Sequence, residues 1–312
     1  MKLFALSASR ELAGRVGGKL GVALAALEER EFDDGEFKVR PLESVRGGRV
    51  VVWQSLAGDD RASAADKLCR LLFLVGAVKD AGAAHATCVA PYLAFARKDR
   101  RTKPRDPVTS RYVAEMLEAV GCDTIVSMDV HNIAAFENAF RRPTVHVEAA
   151  PVLASHFAAV AGSAEKVVVL APDGGGVKRA RAFATQLEAA CGRSVGLAFI
   201  EKWRSEGRVS GSAFAGDVAG ALVIVPDDLV SSGATLARAA QAALQGGAEA
   251  VHAAVTHGLF SGEAGDRLRG SGLASIVVTD TVSDAARRCP ALADRLAVLD
   301  TAALFADVLR RL

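Results

Sequence analysis

This sequence of 312 residues has few aromatic side chains, no marked excess of one charge and no long hydrophobic run. Aromatic residues make up 5% of the chain, so the core must consist mainly of Ala, Val and Leu. The net charge is +2, whereas proteins that bind nucleic acid usually present a strongly basic face. No stretch reaches the roughly 18 consecutive apolar residues of a membrane span, and the first apolar run is too short for a secretion signal. We therefore expect neither a nucleic acid nor a membrane as partner.

The cysteines are few, odd in number and widely spaced, and no CxxC motif occurs. This pattern is not typical of a disulfide framework or a structural zinc site. We expect free thiols in a reducing compartment and hence a cytoplasmic protein. The cysteines are Cys69, Cys88, Cys122, Cys191 and Cys289.

Short apolar runs alternate along the chain with segments of helical periodicity. Most of the runs are continuous, which is typical of strands that are buried on both faces of a sheet. Helical spacing of apolar residues occurs in residues 66–81, 109–120 and 232–244. Repetition of strand and helix in this order predicts an α/β fold with mostly parallel sheets. The predicted strands are residues 3–6, 50–53, 86–90, 124–128, 167–171, 195–200, 221–225, 250–255 and 276–278.

The length predicts two domains, since domains usually contain about 100–200 residues. A segment bounded by Pro143 and Pro151 precedes a new predicted helix, so we place the boundary there. The predicted domains are residues 1–147 and residues 148–301. Residues 302–312 have apolar side chains at helical spacing, and we expect them to form a final helix that packs on the first domain.

Acidic residues follow several of the predicted strands. Asp129, Asp173 and Asp280 each follow one strand, and Asp227 and Asp228 together follow another. One such acid often caps a turn or a helix, but ligands of open α/β sheets bind beyond the carboxyl ends of the strands. Because the acids recur in both halves, we favour a ligand-binding face over capping alone.

The most specific local motif is residues 223–235, VIVPDDLVSSGAT. A buried strand leads to the acid pair, and a loop of small residues from Ser231 to Thr235 then opens a helix. Backbone N–H groups, hydroxyls and a helix N-terminus together form a phosphate site, and the adjacent acids can accept hydrogen bonds from ribose hydroxyls. The alternative is a helix cap beside a surface acid pair. The combination favours a ribose-phosphate site, and since a Walker A motif is absent, any nucleotide is held differently.

This loop resembles the phosphoribosyl diphosphate (PRPP) loop of the type I phosphoribosyltransferase fold. The chain as a whole is similar to the ribose-phosphate diphosphokinase (PRPP synthetase) family, over nearly its whole length and with the motifs in the same order. The resemblance implies two similar domains of phosphoribosyltransferase type, each a mostly parallel sheet flanked by helices. The other matching motifs are residues 32–36, 43–47, 91–101, 104–109, 128–131, 172–181 and 216–218, with Lys202 and Arg204.

The resemblance also implies an enzyme that transfers the diphosphoryl group of ATP to the anomeric hydroxyl of ribose 5-phosphate, giving PRPP and AMP. It implies Mg²⁺ held by His131 and Asp173, and catalytic cations at Lys202 and Arg204 on a flexible loop. It implies a homo-oligomer, because the loop of residues 32–36 reaches a neighbouring subunit's site. The expected ATP-binding residues are Phe32, Asp34, Glu36, Arg97, Lys98 and Asp99. The expected ribose 5-phosphate-binding residues are Asp227, Asp228, Ser231, Ser232, Gly233, Ala234 and Thr235.

The residue types in the ATP region suit different parts of a nucleotide. Carboxylates repel phosphates, but Asp34 or Glu36 could accept a hydrogen bond from the adenine amino group while Phe32 stacks on the ring. A hairpin turn at residues 33–35 is equally compatible with this loop. Residues 97–105 contain six cations, which indicates a solvated charge run, a nucleic-acid patch or, as we favour, an anion site at a subunit interface.

The chain departs from the usual pattern of this family at several positions. Ser231 stands where many members have Asp, Ala234 replaces Gly, Lys98 stands where Gln is common, and Trp203 stands where a basic residue is common. These departures indicate a divergent subgroup, in which phosphate activation and inhibition by ADP are not assumed. Two alternatives stay open, a non-catalytic homologue that regulates a true synthetase and a phosphoribosyltransferase that consumes PRPP. Loss of the metal or loop residues would favour the first, and the motifs of residues 32–105 argue against the second.

Overall fold

The computed structural model describes residues 1–205 and 208–312. For residues 201–205 and 208–214 it describes the backbone only. The chain divides into two compact units. Unit 1 contains residues 1–148, 281–283 and 301–312, and unit 2 contains residues 149–280 and 284–300. The C-terminal segment thus belongs to the same unit as the N-terminus.

Strands and helices alternate through most of the chain. The strands are β1 (Lys2–Ala5), β2 (Leu27–Glu31), β3 (Phe37–Pro41), β4 (Arg49–Trp53), β5 (His85–Ala90), β6 (Thr124–Met128), β7 (Thr144–Val147), β8 (Val167–Ala171), β9 (Gly196–Ser205), β10 (Arg208–Ala215), β11 (Leu222–Val230), β12 (Ala250–Gly258), β13 (Ser275–Thr279) and β14 (Leu296–Leu299). The helices are α1 (Arg10–Leu20), α2 (Ala64–Asp80), α3 (Thr109–Ala119), α4 (Ile133–Ala139), α5 (Ala150–Ser163), α6 (Val177–Cys191), α7 (Ala234–Gln245), α8 (Ala264–Arg269), α9 (Ala285–Arg288) and α10 (Ala302–Arg311).

Unit 1 is built on a parallel sheet with the strand order β1-β4-β5-β6-β7. Its inner strands are buried on both faces, β6 at every residue, which explains their continuous apolar sequences. β2 and β3 form a separate antiparallel hairpin in which Glu31 stands opposite Phe37. The turn of this hairpin contains the residues that the sequence predicts to bind adenine.

The helix α2 covers the sheet of unit 1 with a continuous apolar face. Leu71, Leu74 and Val75 are fully buried in the same core cluster as the strand residues. The helix begins with a capping box, in which the Ser63 side chain accepts from the Asp66 N–H and the Asp66 carboxylate accepts from the Ser63 N–H. This cap places the start of the helix two residues before the predicted one.

The residues predicted to form a final helix form α10 in unit 1. Phe305 is fully buried and contacts Trp53 edge-on, with 5.0 Å between the ring centroids. Such an aromatic pair adds about 0.5–1.5 kcal/mol beyond the burial of its area. α10 also packs along α1, so it completes the core of the first unit.

Unit 2 is built on a sheet with the strand order β10-β9-β8-β11-β12-β13-β14. β10 runs antiparallel to β9, and the other neighbouring pairs are parallel. α6 packs against β8 and β11, and α7 packs against β11 and β12. Parallel strands present their carboxyl ends at one edge, so the residues that follow β8 and those at the end of β11 lie at the same edge of this sheet.

The structure confirms the predicted α/β class with mostly parallel sheets flanked by helices. Sequence reasoning missed β2, β3, β7, β10 and β14, which are hairpin or edge strands. A strand at an edge is less completely enclosed, so it does not need the continuous apolar sequence by which the central strands were predicted. Within the described residues, no helix combines the length and the apolar character needed to cross a bilayer.

Candidate active site

The acid pair of unit 2 lies inside a strand rather than after it. The predicted strand ends at residue 225, but β11 continues through Asp227 and Asp228 to Val230. β12 runs parallel to it over this stretch, with Asp227 opposite Val255 and Val230 opposite Gly258. The predicted end was therefore wrong, because a neighbouring strand supplies hydrogen-bond partners beyond the apolar run. The two carboxylates are held on rigid backbone.

Arg179 of α6 bridges the two carboxylates. Its Nη1 lies 3.2 Å from Asp227 Oδ1, and its Nη2 lies 3.4 Å from Asp228 Oδ1. Asp228 is 4% exposed, and its N–H donates to Asp227 Oδ1 at 2.9 Å. Burial, followed by the neighbouring charge of Asp228, raises the pKa of Asp227 to about 7, although Arg179 acts in the opposite direction. Near neutral pH the pair can therefore share a proton, and it can both accept and donate hydrogen bonds.

Sequence reasoning assigned no role to Arg179. The residue belongs to the motif of residues 172–181, but 48 positions separate it from Asp227. Neither charge nor spacing distinguishes it from Lys178 and Arg181 in the same motif. The usable signal is its place in the first turn of a helix that follows β8, the strand beside β11.

The loop after β11 is held by a second polypeptide segment, residues 258–268. Ser231 Oγ and Ser261 Oγ are 2.7 Å apart, and the Ser261 N–H donates to the Ser231 carbonyl at 3.0 Å. Gly233 has φ 72°, and a Cβ atom there would lie 2.7 Å from Leu268 Cγ. The loop therefore requires glycine at position 233, both for its backbone conformation and for the space above α8.

The departure of Ala234 from the family pattern has a structural explanation. The left-handed residue of the loop is Gly233, whereas Ala234 is the first residue of α7. Alanine adopts helical backbone angles without strain, so it fits this position of the chain. Ser231 lacks the carboxylate that many members carry, and its hydroxyl contacts Ser261.

Asp173 lies two residues after β8 and caps the turn that leads into α6. Its Oδ1 accepts hydrogen bonds from the N–H groups of Gly175 at 3.1 Å and Gly176 at 3.2 Å. Within the described residues, no group of three or more His, Cys, Asp or Glu side chains is placed to hold a metal ion. Mg²⁺ in phosphoryl-transfer sites keeps several waters and binds substrate phosphates with one or two protein carboxylates, so a single carboxylate at Asp173 fits this mode.

His131 is exposed and belongs to unit 1, in the segment that joins β6 to α4. Asp129, just before it, has φ 36°, and its N–H donates to the Val147 carbonyl at 3.0 Å. The Asp129 carboxylate lies 3.8 Å from Nε2 of His146, a β7 residue that sequence reasoning missed. The segment that carries His131 is thus fixed at its start by β7.

The predicted adenine-binding residues lie in the turn between β2 and β3. The Phe32 N–H donates to the Glu36 carbonyl at 2.8 Å, and the Glu36 N–H donates to Asp34 Oδ1 at 3.0 Å. The predicted hairpin turn is confirmed, with Gly35 at φ 89°. Phe32 is 40% exposed, and the Arg30 guanidinium lies 5.0 Å from its ring centroid. The turn therefore presents an aromatic face and the three carboxylates of Asp33, Asp34 and Glu36 to solvent.

Lys98, which the sequence predicts to bind ATP, forms an ion pair with a residue of its own loop. Its ammonium lies 2.6 Å from Asp106 Oδ2, and the same oxygen accepts from the N–H groups of Thr102 and Lys103, each at 3.0 Å. The Lys98 ammonium, followed by the Thr102 hydroxyl, holds the pKa of Asp106 well below its usual range. Asp99 accepts from Asn132 Nδ2 at 2.6 Å. Arg97 is exposed and belongs to the same loop.

The predicted catalytic cations Lys202 and Arg204 belong to β9, but their side chains lie outside the described part of the chain. The predicted strand ends at residue 200 and is followed by a loop. In the structure β9 continues to Ser205 and pairs with β10, so that Lys202 stands opposite Ser212. The extension exists because β10 supplies an antiparallel partner, which the sequence alone did not indicate.

Comparison with known proteins bears on the whole chain. Residues 1–121 match the family described as the N-terminal domain of ribose phosphate pyrophosphokinase, and residues 208–312 match the phosphoribosyl synthetase-associated domain. The ribose-phosphate pyrophosphokinase 1 of Streptococcus pyogenes serotype M3 is 36% identical over 100% of this chain and 94% of its own length. The ribose-phosphate pyrophosphokinase of Caldanaerobacter subterraneus is 37% identical with the same coverage. The crystal structure of phosphoribosylpyrophosphate synthetase from Mycobacterium smegmatis is similar with a TM-score of 0.88 and 34% identity, over 99% of this chain and 97% of that one.

Proposed function

Since this chain belongs to the ribose-phosphate pyrophosphokinase family, we propose that it transfers the diphosphoryl group of ATP to ribose 5-phosphate, giving PRPP and AMP. The anomeric hydroxyl loses its proton to solvent as its oxygen attacks the β-phosphorus, the bond between the β-phosphorus and the α,β-bridging oxygen breaks, and AMP leaves with that electron pair. The observation that carries the proposal is the buried acid pair on β11, followed directly by the Ser231–Thr235 loop at the N-terminus of α7. Along the chain, carboxylates that can accept hydrogen bonds from ribose hydroxyls are followed by N–H and O–H groups that can donate to a phosphate. This order matches the hydroxyls and the phosphate of a pentose phosphate.

The pentose site is assigned within unit 2. Asp227 and Asp228 hold the ribose hydroxyls, and Ser231, Ser232, Gly233, Ala234 and Thr235 surround the 5-phosphate with N–H groups and hydroxyls. The support is the rigid strand beneath the acids and the glycine turn that directs the loop into α7. A hydrogen bond that involves a charged group contributes about 1.5–3 kcal/mol, so several of them suffice for selective binding.

ATP is assigned to residues of unit 1. Phe32 stacks on the adenine ring, and Asp34 and Glu36 accept hydrogen bonds from its amino group. Arg97, Lys98 and Asp99 contact the rest of the nucleotide, with Lys98 acting from its ion pair with Asp106. The exposed aromatic ring of Phe32 beside two carboxylates supports the adenine assignment, because a carboxylate is an acceptor and the adenine amino group is a donor.

His131 and Asp173 would hold Mg²⁺, which when bound supplies positive charge against the phosphates. Lys202 and Arg204 stabilise the charge that develops on the transferred diphosphoryl group. Transfers of this type need positioning and charge neutralisation more than covalent catalysis. Arg97 and Lys98 of unit 1 and Lys202 and Arg204 of unit 2 are the cations proposed for this purpose.

The active form is proposed to be a homo-oligomer, a dimer or larger, because the exposed turn between β2 and β3 completes a neighbouring subunit's ATP site. The domain roles are likewise proposals, with ATP and oligomer contacts in residues 1–147 and ribose 5-phosphate in residues 148–301. The cytoplasmic location stays a prediction.

The experiment is an assay of purified protein with ATP, Mg²⁺ and ribose 5-phosphate, in which nucleotides and PRPP are separated and quantified. We expect AMP and PRPP in equal amounts, and no AMP when either ribose 5-phosphate or Mg²⁺ is left out. ADP as the only nucleotide product would refute the proposal, because it indicates transfer of a single phosphoryl group. Absence of any product would instead favour the regulatory homologue, and consumption of added PRPP with a nucleobase would favour the phosphoribosyltransferase.

A further inference from the structure

Arg267 of α8 contacts the backbone of the pentose-phosphate loop. Its Nη1 donates to the carbonyl oxygen of Ser232 at 2.5 Å, across 35 positions of sequence. The side chain is 38% exposed and its other nitrogen lies 3.7 Å from Glu263. Sequence reasoning gave this residue no role, because nothing in α8 marks it as part of a site.

The contacted carbonyl belongs to the peptide that also carries the Gly233 N–H. The peptide bonds of the described residues are all trans, and in a planar trans peptide the C=O and the N–H point in opposite directions. Arg267 on the carbonyl side therefore directs the Gly233 N–H away from α8. Since Gly233 is the N-cap residue of α7, this N–H lies beside the unpaired N–H groups of the first helical turn.

The guanidinium also compensates for a missing charge. The loop residues Ser231–Thr235 include no cation, although a sugar phosphate brings up to two negative charges. A positively charged donor beside the carbonyl oxygen polarises the peptide and makes its N–H a stronger hydrogen-bond donor. A phosphate bound by the Gly233 N–H would lie one peptide away from the guanidinium, within the distance over which salt does not screen charges completely.

Neighbouring contacts hold α8 against the loop and fix this geometry. Leu268 fills the space beside Gly233, and Ser261 contacts Ser231 through both side chain and backbone. Several contacts therefore join residues 258–268 to the loop. The contact between Arg267 and Ser232 places a guanidinium charge beside the loop backbone.

We propose that Arg267 is a positioning residue for the 5-phosphate of the sugar substrate, acting through the Ser232–Gly233 peptide. It orients and polarises the Gly233 N–H and supplies the positive charge that the loop lacks. The inference rests on the proposed function of this loop, and it adds a residue of α8 to the machinery that selects a phosphorylated pentose.

The test compares Arg267→Met, which retains an apolar stem without donors, with Arg267→Lys and with the control Arg269→Met. Arg269 is an exposed cation of the same helix that pairs with Asp294 at 3.5 Å. Binding of ribose 5-phosphate is measured by calorimetry without ATP, and KM for both substrates is measured in the AMP-release assay. Thermal melting checks the fold.

For Arg267→Met we expect the dissociation constant and KM for ribose 5-phosphate to rise about tenfold to a hundredfold, the range for a lost hydrogen bond to a charged group. KM for ATP should change less than about twofold, Arg267→Lys should recover part of the loss, and Arg269→Met should behave as wild type. Unchanged affinity for ribose 5-phosphate, or equal loss for ATP, would overturn the inference. Calorimetry separates the two proposals: wild-type protein that binds ribose 5-phosphate without releasing AMP contradicts the reaction, and the variants still test Arg267.

Discussion

Arg179 Nη2 lies 3.4 Å from Oδ1 of Asp228, a carboxylate that is almost completely buried. The guanidinium favours the ionised form of the acid pair, whereas burial favours the protonated form. The balance between these two effects sets the pH at which the acid pair is ionised and can only accept hydrogen bonds.

Replacing Arg179 by Met should shift the pH dependence of pentose binding. Without the positive charge the pKa of the acid pair rises, so the pH above which KM for ribose 5-phosphate reaches its low plateau should move upward. The measurement is KM for ribose 5-phosphate between about pH 6 and 9. Arg181→Met, an exposed cation of the same helix, serves as the control. An unchanged profile in the Arg179 variant would show that the ion pair does not control the acids.

Asp227 should make stability depend on pH. Its pKa is raised to about 7 in the folded protein, above the usual value near 3.9 in an unfolded chain. Its contribution to the free energy of unfolding is therefore fully present below about pH 4 and is lost as the pH rises through about 7. The difference in unfolding free energy between wild type and Asp227→Asn should decline over this window, as urea titrations at several pH values would show. A difference that is constant with pH contradicts the assignment.

The contact of Lys98 with ATP should depend on Asp106, whose carboxylate pairs with the Lys98 ammonium at 2.6 Å. If the ion pair positions the segment, then Lys98→Met and Asp106→Asn should raise KM for ATP to a similar extent, and the double variant should be little worse than either. Arg111→Met, an exposed cation at the start of α3, is the control. An effect of Lys98→Met without an effect of Asp106→Asn would show that Lys98 contacts the nucleotide without help from the ion pair.

The turn between β2 and β3 should complete a neighbour's site. Mixing an Asp34→Ala, Glu36→Ala double variant with Asp228→Ala should restore activity above that of either protein alone, because a mixed oligomer can contain one intact composite site. Mixing Asp228→Ala with Asp227→Ala should restore none, since both defects lie in the pentose site. Full activity of a wild-type monomer in sedimentation experiments would exclude the composite site.

Lys202→Ala should lower kcat by roughly 10²–10³, with smaller changes in KM for both substrates. An interaction that forms mainly in the transition state affects the rate rather than ground-state binding. Steady-state kinetics and thermal melts on the same preparation decide the matter. A variant with wild-type kcat, or one that is simply unfolded, would show that the role was wrongly assigned from the family.

The central strands were predictable because burial on both faces requires continuous apolar sequence, as in β6 and β8. The end of β11 was not, because Asp227 and Asp228 interrupt the apolar run and only pairing with β12 keeps them in the strand. The acid pair and the loop could be proposed as a site because they are adjacent in sequence, and that assignment stays a prediction. Arg179 and Arg267 could not, since each reaches the site from a helix distant in sequence, and their contacts depend on tertiary packing.

The placement of α10 has a consequence for the order in which the protein can fold during synthesis. Domains usually fold as they emerge from the ribosome, the N-terminal one first. Here Trp53 of β4 gains its partner Phe305 only after the chain has passed through all of unit 2. Unit 2 can therefore close its core while unit 1, although synthesised earlier, still exposes the apolar surface that α10 later covers.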